Sequence, residues 1–218
     1  MVEEYNPLDE ANLVEDCVRE LMGRTLVPLT DLARFEGAGV YMLFFDGEFP
    51  PYRRVRSASG TSPIYIGSAM PPGGRKGMTP WQLNETSRRS KALYGRLRQH
   101  AKSIEAASDI DVSEFSCRYL VMKPVWIIWA ERLLLARYTP LWNTFLDGFG
   151  NHRPGLHREG GRIPWWDALH AGRRWAIGMP QTRTRAEAVA RIGEYFDALQ
   201  GGRDELAGLA EQVRERED

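Results

Sequence analysis

Cysteine is nearly absent from this chain. Cys17 and Cys117 are the only two in 218 residues, they lie far apart, and neither belongs to a Cys-x-x-Cys pair. That excludes a disulfide framework and a thiolate zinc site and fits a reducing compartment. Long apolar runs are missing as well. No stretch reaches the roughly 18 residues needed to span a bilayer, and no basic-then-apolar leader opens the chain, so a cytoplasmic protein without a membrane partner is expected. Net charge is zero, with 29 basic and 29 acidic residues. Repeats and low-complexity tracts are lacking too. At 43% hydrophobic and 27% charged residues, the composition is that of a globular protein of one core with elaborations.

The balance of charge hides a segregation. From Pro51 to Lys102 the basic residues are Arg53, Arg54, Arg56, Arg75, Lys76, Arg88, Arg89, Lys91, Arg96, Arg98 and Lys102, against the single acid Glu85. Acids gather instead near the N-terminus, from Glu3 to Glu20, and again from Glu205 to Asp218. A fold built from such a chain carries a basic face beside acidic flanks, which is the electrostatic footprint of a polyphosphate ligand or, more simply, a solvated charged face.

Two short tyrosine-bearing runs stand at the front of the basic region. Gly39-Val40-Tyr41 opens the apolar run to Phe45, and Pro63-Ile64-Tyr65-Ile66-Gly67 is a second run, both rich in β-branched and aromatic residues that suit strands. Their tyrosines either pack or act. Asp46-Gly47 marks a turn, and Gly47 to Ser62 is too polar and too broken for a tight hairpin, so it reads as a surface loop with a basic tip at Arg53, Arg54 and Arg56. A second basic loop, Ser68 to Met78, carries Arg75 and Lys76 and lies either along a sugar-phosphate backbone or in solvent.

Upstream, Asn6-Pro7 reads as a helix start, with Val14, Cys17, Val18 and Leu21 at helical spacing until Gly23, and a second short helix is expected over Leu29 to Phe35. Downstream, Ser87 to Ala106 has one apolar helical stripe of Leu93, Leu97, Ala101 and Ile104. Arg96 and His100, four apart, share one of its faces. They are solvent-facing side chains of a basic helix, or an arginine and an imidazole converging on one phosphate. Asp111 to Met122 reads as a third strand.

Pro124 then opens an almost wholly apolar helix that runs to Pro140 and is expected to be largely buried. Inside it sits Glu131. A buried carboxylate is costly unless it is paired or holds a metal, and the adjacent Arg132 cannot share its face. Asn143 follows just past the helix end, where an amide fixes a ligand or caps a turn. The segment from Gly148 to Arg162 is glycine-rich and basic, with Arg153, Arg158 and Arg162. Its His152 and His157 lack the companions a zinc site needs. Trp165, Trp166, Leu169 and Trp175 would clamp this arm to the core. Thr184-Arg185-Ala186-Glu187 is a capping box for a helix to about Leu199, and Gly201-Gly202 separates an acidic helical tail.

In chain order, Gly39-Val40-Tyr41, Tyr65-Ile66-Gly67, Arg96 with His100, Glu131 and Asn143 resemble the signature of the GIY-YIG nuclease superfamily. Within it, the chain resembles the type II restriction endonucleases that cut short GC-rich palindromes. The resemblance covers the chain from Gly39 to Asn143, and the arm from Gly148 to Ala176 looks like that branch's own extension. Val40 replaces the isoleucine of the name motif, a β-branched exchange, and the loop between the tyrosine strands is unusually long.

The resemblance implies an α+β fold: a small three-stranded antiparallel sheet flanked by helices. The expected segments are an N-terminal helical part at 1–38, a nuclease core at 39–147, and a DNA-contacting arm with a C-terminal helical extension at 148–218. It also implies catalysis by Tyr41, Tyr65, Arg96, His100, Glu131 and Asn143, with one Mg²⁺ or Mn²⁺ ion on Glu131. Arg96 would hold the phosphate. Tyr41, its phenol depressed by the metal and the arginine, would be the general base, with His100 its rival, and Asn143 would position the glutamate or the phosphate. The implied partners are double-stranded DNA, a second copy of the chain on that DNA, and a cognate DNA methyltransferase of the same system. DNA contacts are expected from Arg53, Arg54, Arg56, Arg75, Lys76, Arg153, Arg158 and Arg162. Two other readings stand beside this one: a repair or mobile-element nuclease of the same superfamily, and an idle DNA-binding module of the same fold.

Overall fold

The computed structural model describes residues 10–73, 79–151 and 162–217. Its centre is an antiparallel sheet of β1 (Val27–Pro28), β2 (Gly39–Phe45), β3 (Tyr65–Ala69) and β4 (Phe115–Val121), in the spatial order β1-β4-β2-β3. The three strands expected from the sequence form its body. The fourth, β1, is a two-residue edge whose Val27 pairs with Cys117. A strand this short has no period to read, and Pro28 is tolerated there because an edge needs no donor on its outer side.

Every residue of β2 is buried. Its alternation sorts the core into two layers: Tyr41, Leu43 and Phe45 face one cluster, while Val40, Met42 and Phe44 face the other. The helices are α1 (Glu10–Met22), α2 (Pro80–Arg88), α3 (Ala92–Glu105), α4 (Pro124–Tyr138), α5 (Leu141–Thr144), α6 (Trp165–Leu169), α7 (Arg174–Ile177), α8 (Arg185–Gly201) and α9 (Arg203–Glu217). From α1 and α4, Leu21, Ile127, Ala130 and Leu134 cover the Val40 face. Leu93 and Leu97 of α3, Trp142 of α5, Trp166 of α6 and the inner sides of α8 and α9 cover the Tyr41 face. The C-terminal helices are therefore part of the central core, through Ile192, Tyr195, Phe196, Leu206 and Val213. The Thr184/Glu187 capping box forms as expected.

Several local expectations change. The helix expected over Leu29 to Phe35 is one 3-10 turn, Leu29–Asp31. The helix expected from Ser87 is two, because Ser90 breaks it: its carbonyl accepts the Gly37 N–H and its hydroxyl accepts the Ala92 N–H. Asn6 and Pro7 lie outside the described residues. The largest change concerns α4, which is not buried all round. Val125 is 67% exposed, Trp126 52%, Ile128 48% and Trp129 50%. Among the described residues α1, α2 and the sheet are the main elements packed against this helix, and they leave part of its apolar surface uncovered. It ends at Thr139 in the left-handed region, followed by Pro140. No helix among the described residues is long and apolar enough to cross a membrane.

Candidate active site

The β2/β3 register sets Tyr41 directly opposite Gly67. A Cβ at Gly67 would lie 2.4 Å from the Tyr41 hydroxyl, so the missing side chain leaves the place where the phenol rests. Gly39 is needed for another reason: its Cβ would come within 2.0 Å of the Leu120 carbonyl on β4. Both name-motif glycines thus permit close backbone and ring approach, one to seat the strand and one to seat the tyrosine.

Helix α3 crosses the same face of the sheet with Leu93, Leu97 and Ala101 inward, which turns His100 toward β2. The Tyr41 hydroxyl is 2.5 Å from His100 Nε2, and both residues are almost wholly buried. Tyr65 joins them, its ring 5.2 Å from that of His100 and 6.2 Å from that of Tyr41. Arg96, one turn earlier on α3, donates from Nη2 to the Gly150 carbonyl at 2.8 Å. The face shared by Arg96 and His100 therefore points at the tyrosine strands rather than at solvent.

Burial dominates the electrostatics of the two phenols. Burial pushes the Tyr41 phenol well above its ordinary value of 10, with Tyr65 adding to the rise and Arg96 opposing it. Tyr65 is also raised, again chiefly by burial, with Arg96 opposing and Glu131 adding. Among the protein's own groups, removal of water outweighs the arginine.

Glu131 lies on the other side of the β3 edge, half-buried where the covered and open faces of α4 meet. Its Oε2 accepts from the Ser68 hydroxyl at 2.7 Å. β3 is an edge strand, and the charge of this carboxylate adds to the upward push on both phenols. A lone carboxylate beside a hydroxyl suits a hydrated Mg²⁺, an ion that keeps most of its own waters. Among the described residues no group of three or more His, Cys, Asp or Glu could form a closed metal cage.

Asn143 does something narrower than either expected role. Its Oδ1 accepts the Ile66 N–H at 2.8 Å and its Nδ2 donates to the Ile66 carbonyl at 2.7 Å. Both amide ends engage the outer edge of β3, as a neighbouring strand would, so Asn143 holds the middle of Tyr65-Ile66-Gly67 rather than the glutamate or a phosphate.

The expected basic tip is also rearranged. Pro50–Val55 forms a 3-10 helix with Tyr52 buried beneath it. Arg54 donates to the Phe196 carbonyl and covers the Phe196 ring, while Arg56 pairs with Asp46 and Glu48. Arg53 and Arg162 are exposed. Arg75, Lys76, Arg153 and Arg158, like His152 and His157, lie outside the described residues.

Sequence reading missed a second buried network beside the site. Tyr52 meets His170 Nε2 at 2.5 Å, His170 Nδ1 meets Asp109 at 2.8 Å, and Asp109 is bound by Arg185 at 2.6 Å. It also missed Phe149, stacked on His100 at 4.5 Å. Neither left a local signal, since each joins residues from distant elements.

A family model described as the Eco29kI GIY-YIG domain matches residues 33–196. The matched span runs from before β2 into α8 and includes Tyr41, Tyr65, Arg96, His100, Glu131 and Asn143. No curated protein matches the chain.

Proposed function

The chain belongs to the Eco29kI GIY-YIG domain family, one of type II restriction endonucleases, and on that premise we propose that it hydrolyses phosphodiester bonds of double-stranded DNA at a short GC-rich palindrome, using one divalent ion per site. The observation that carries this reading is the convergence of Tyr41, Tyr65, Arg96 and His100 on one face of β2 and β3, with Glu131 across the β3 edge. Any one of these residues is ordinary. Together they supply a phosphate ligand, a proton path and a metal anchor.

Hydrolysis needs an attacking water that loses a proton, relief of charge on the phosphate, and help for the departing 3′ oxygen. Arg96 serves the phosphate while its Nη2 stays on the Gly150 carbonyl. Burial opposes a standing phenolate at Tyr41, so its proton needs an acceptor beside it. Tyr41 takes the water's proton as it passes its own to His100 Nε2, 2.5 Å away, with the neutral imidazole carrying its proton on Nδ1. Tyr65, 8% exposed, lines the same space and orients the reacting groups. Glu131 is the residue that would hold Mg²⁺ or Mn²⁺, which when bound supplies charge relief on the phosphate and stabilises the leaving oxygen. Asn143 and Ser68 keep β3 and the carboxylate in place.

One such centre cuts one strand, so the reading includes a homodimer on DNA, each copy serving one half-site. The exposed Val125, Trp126, Ile128 and Trp129 on the helix that carries Glu131 support pairing of two copies. DNA contact falls to Arg53, Arg162 and the basic residues of 74–78 and 152–161, with Arg54 and Arg56 contributing only if they leave their internal partners. The enzyme would work in the cytoplasm alongside a cognate DNA methyltransferase that protects the host's sites.

Incubating the protein with plasmid, with and without Mg²⁺, and mapping the ends on both strands tests this. Metal-dependent double-strand breaks at one sequence are expected. Nicks without sequence preference would move the assignment to a repair or mobile-element nuclease, and DNA binding without cleavage would make it an idle module.

A further inference from the structure

The turn from Gly148 to Asn151 touches three of the proposed catalytic side chains at once. Phe149, 1% exposed, lies flat on His100 with centroids 4.5 Å apart and planes 17° apart, and meets Tyr65 edge-on at 5.0 Å. The Gly150 carbonyl accepts from Arg96. Trp142 and Trp166 back Phe149 at 4.4 and 5.2 Å. The sequence of the turn admits this approach and no bulkier one. Gly148 sits at φ +92°, and a Cβ there would lie 2.1 Å from Pro164 Cβ. At Gly150 a Cβ would lie 2.6 Å from the Tyr65 hydroxyl and 3.3 Å from Arg96 Nη2.

The turn is itself fixed. Arg173, 4% exposed, donates to the carbonyls of Gly148 at 2.9 Å, Phe149 at 3.0 Å and Asn151 at 3.5 Å. Its guanidinium is paired with the buried Asp167 and lies over the rings of Trp166 and Trp175. A buried arginine serving three carbonyls of one turn leaves that turn little freedom. Packing alone would ask only that Phe149 be buried. Flat stacking on an imidazole asks more, because it sets the plane of the ring and hence the direction of Nε2.

We propose that Phe149 is a positioning residue for the reaction: held by Arg173, it fixes the His100 ring so that Nε2 stays on the Tyr41 hydroxyl, while its neighbour Gly150 orients Arg96. This rests on the nuclease reading of the site. Reactive geometry is demanding, and a displacement of about 1 Å can cost on the order of 100-fold in rate. Phe149→Leu keeps an apolar side chain but removes the flat partner.

The test compares Phe149→Leu with Phe115→Leu, a buried aromatic on β4 that packs on Phe45 and on Trp142, one ring removed from Phe149. Single-turnover cleavage rate, DNA Kd and the His100 ring-proton resonances are read for each. The expected result is a cleavage rate at least about 10-fold lower for Phe149→Leu, with Kd within about threefold and the His100 protons moved downfield as the ring current is lost. Phe115→Leu should leave the rate and those resonances near wild type. Equal rate losses in both variants, or an unmoved His100 signal, would overturn the proposal. Should Phe149→Leu fail to fold, the wild-type spectrum decides: His100 ring protons without an upfield displacement would contradict the stacking. Should the wild type cut no DNA, the nuclease reading fails, while the resonances still test whether Phe149 sets the imidazole.

Discussion

The Tyr41 hydroxyl and His100 Nε2 lie 2.5 Å apart although 59 positions separate them in the chain. One is carried by a central strand and the other by the helix that covers it, so each needs the whole β2/α3 interface to find the other. If the pair moves the proton as a unit, Tyr41→Phe and His100→Ala should each lower the cleavage rate by about 10²–10⁴-fold. The double variant should be little worse than either, since groups acting as a unit are not additive. Arg96→Ala should likewise lower rate more than affinity. Losses that simply multiply would separate Tyr41 and His100 into independent roles.

Tyr41, Tyr65, Arg96, His100 and Glu131 stood out in sequence as candidates because each sits in a local pattern: a β-prone run, a helical i,i+4 pair, a lone acid among apolar residues. What those patterns cannot carry is direction. Asn143 marked itself by position, yet its target, Ile66 on the β3 edge, depends on how α5 returns to the sheet. Composition made α4 look buried, whereas burial depends on how much neighbouring surface exists, and here α1, α2 and the sheet cover only part of it. Arg54 and Arg56 read as a free tip because their partners, Phe196 and Asp46 with Glu48, meet them only in the fold.

Removing the Asn143 clamp should act on stability first. Asn143→Ala leaves the Ile66 N–H and carbonyl without their partner, at about 1–3 kcal/mol for each group that becomes buried and unsatisfied. Thermal unfolding should show a lower Tm, with amide exchange at Ile66 and Tyr65 accelerated more than in β4. Uniform exchange across the sheet would mean that Asn143 does not act through the β3 edge.

The Tyr52–His170–Asp109 network predicts a pH dependence. Burial lowers the His170 pKa below its ordinary 6.5, with Asp109 pulling the other way and the nearby Arg185 and Arg173 adding to the fall. The unfolded chain therefore binds this proton at a higher pH than the folded one does. Stability is full above about pH 6.5 and falls as pH drops toward the folded value. Wild-type Tm should decline between pH 7.5 and 5.5, and His170→Gln, less stable at pH 7.5, should decline less. An identical decline in both would remove His170 as the source.

Assembly follows from the need to cut two strands. Sizing should show two copies on one cognate duplex, with an affinity that falls steeply as salt rises because phosphate contacts release counterions. Trp126→Ser with Trp129→Ser should weaken the pairing while leaving each subunit folded. A complex that stays dimeric in this variant would place the interface elsewhere.

In the proposed reaction Glu131 anchors the ion on which cleavage depends while the rest of the chain binds DNA. Glu131→Gln keeps the side chain's shape and its place beside Ser68 while removing the charge. With cognate duplex and Mg²⁺, this variant should bind with a Kd close to wild type and produce no cleaved ends. Cutting at the wild-type rate by Glu131→Gln would show that the carboxylate does not hold the ion.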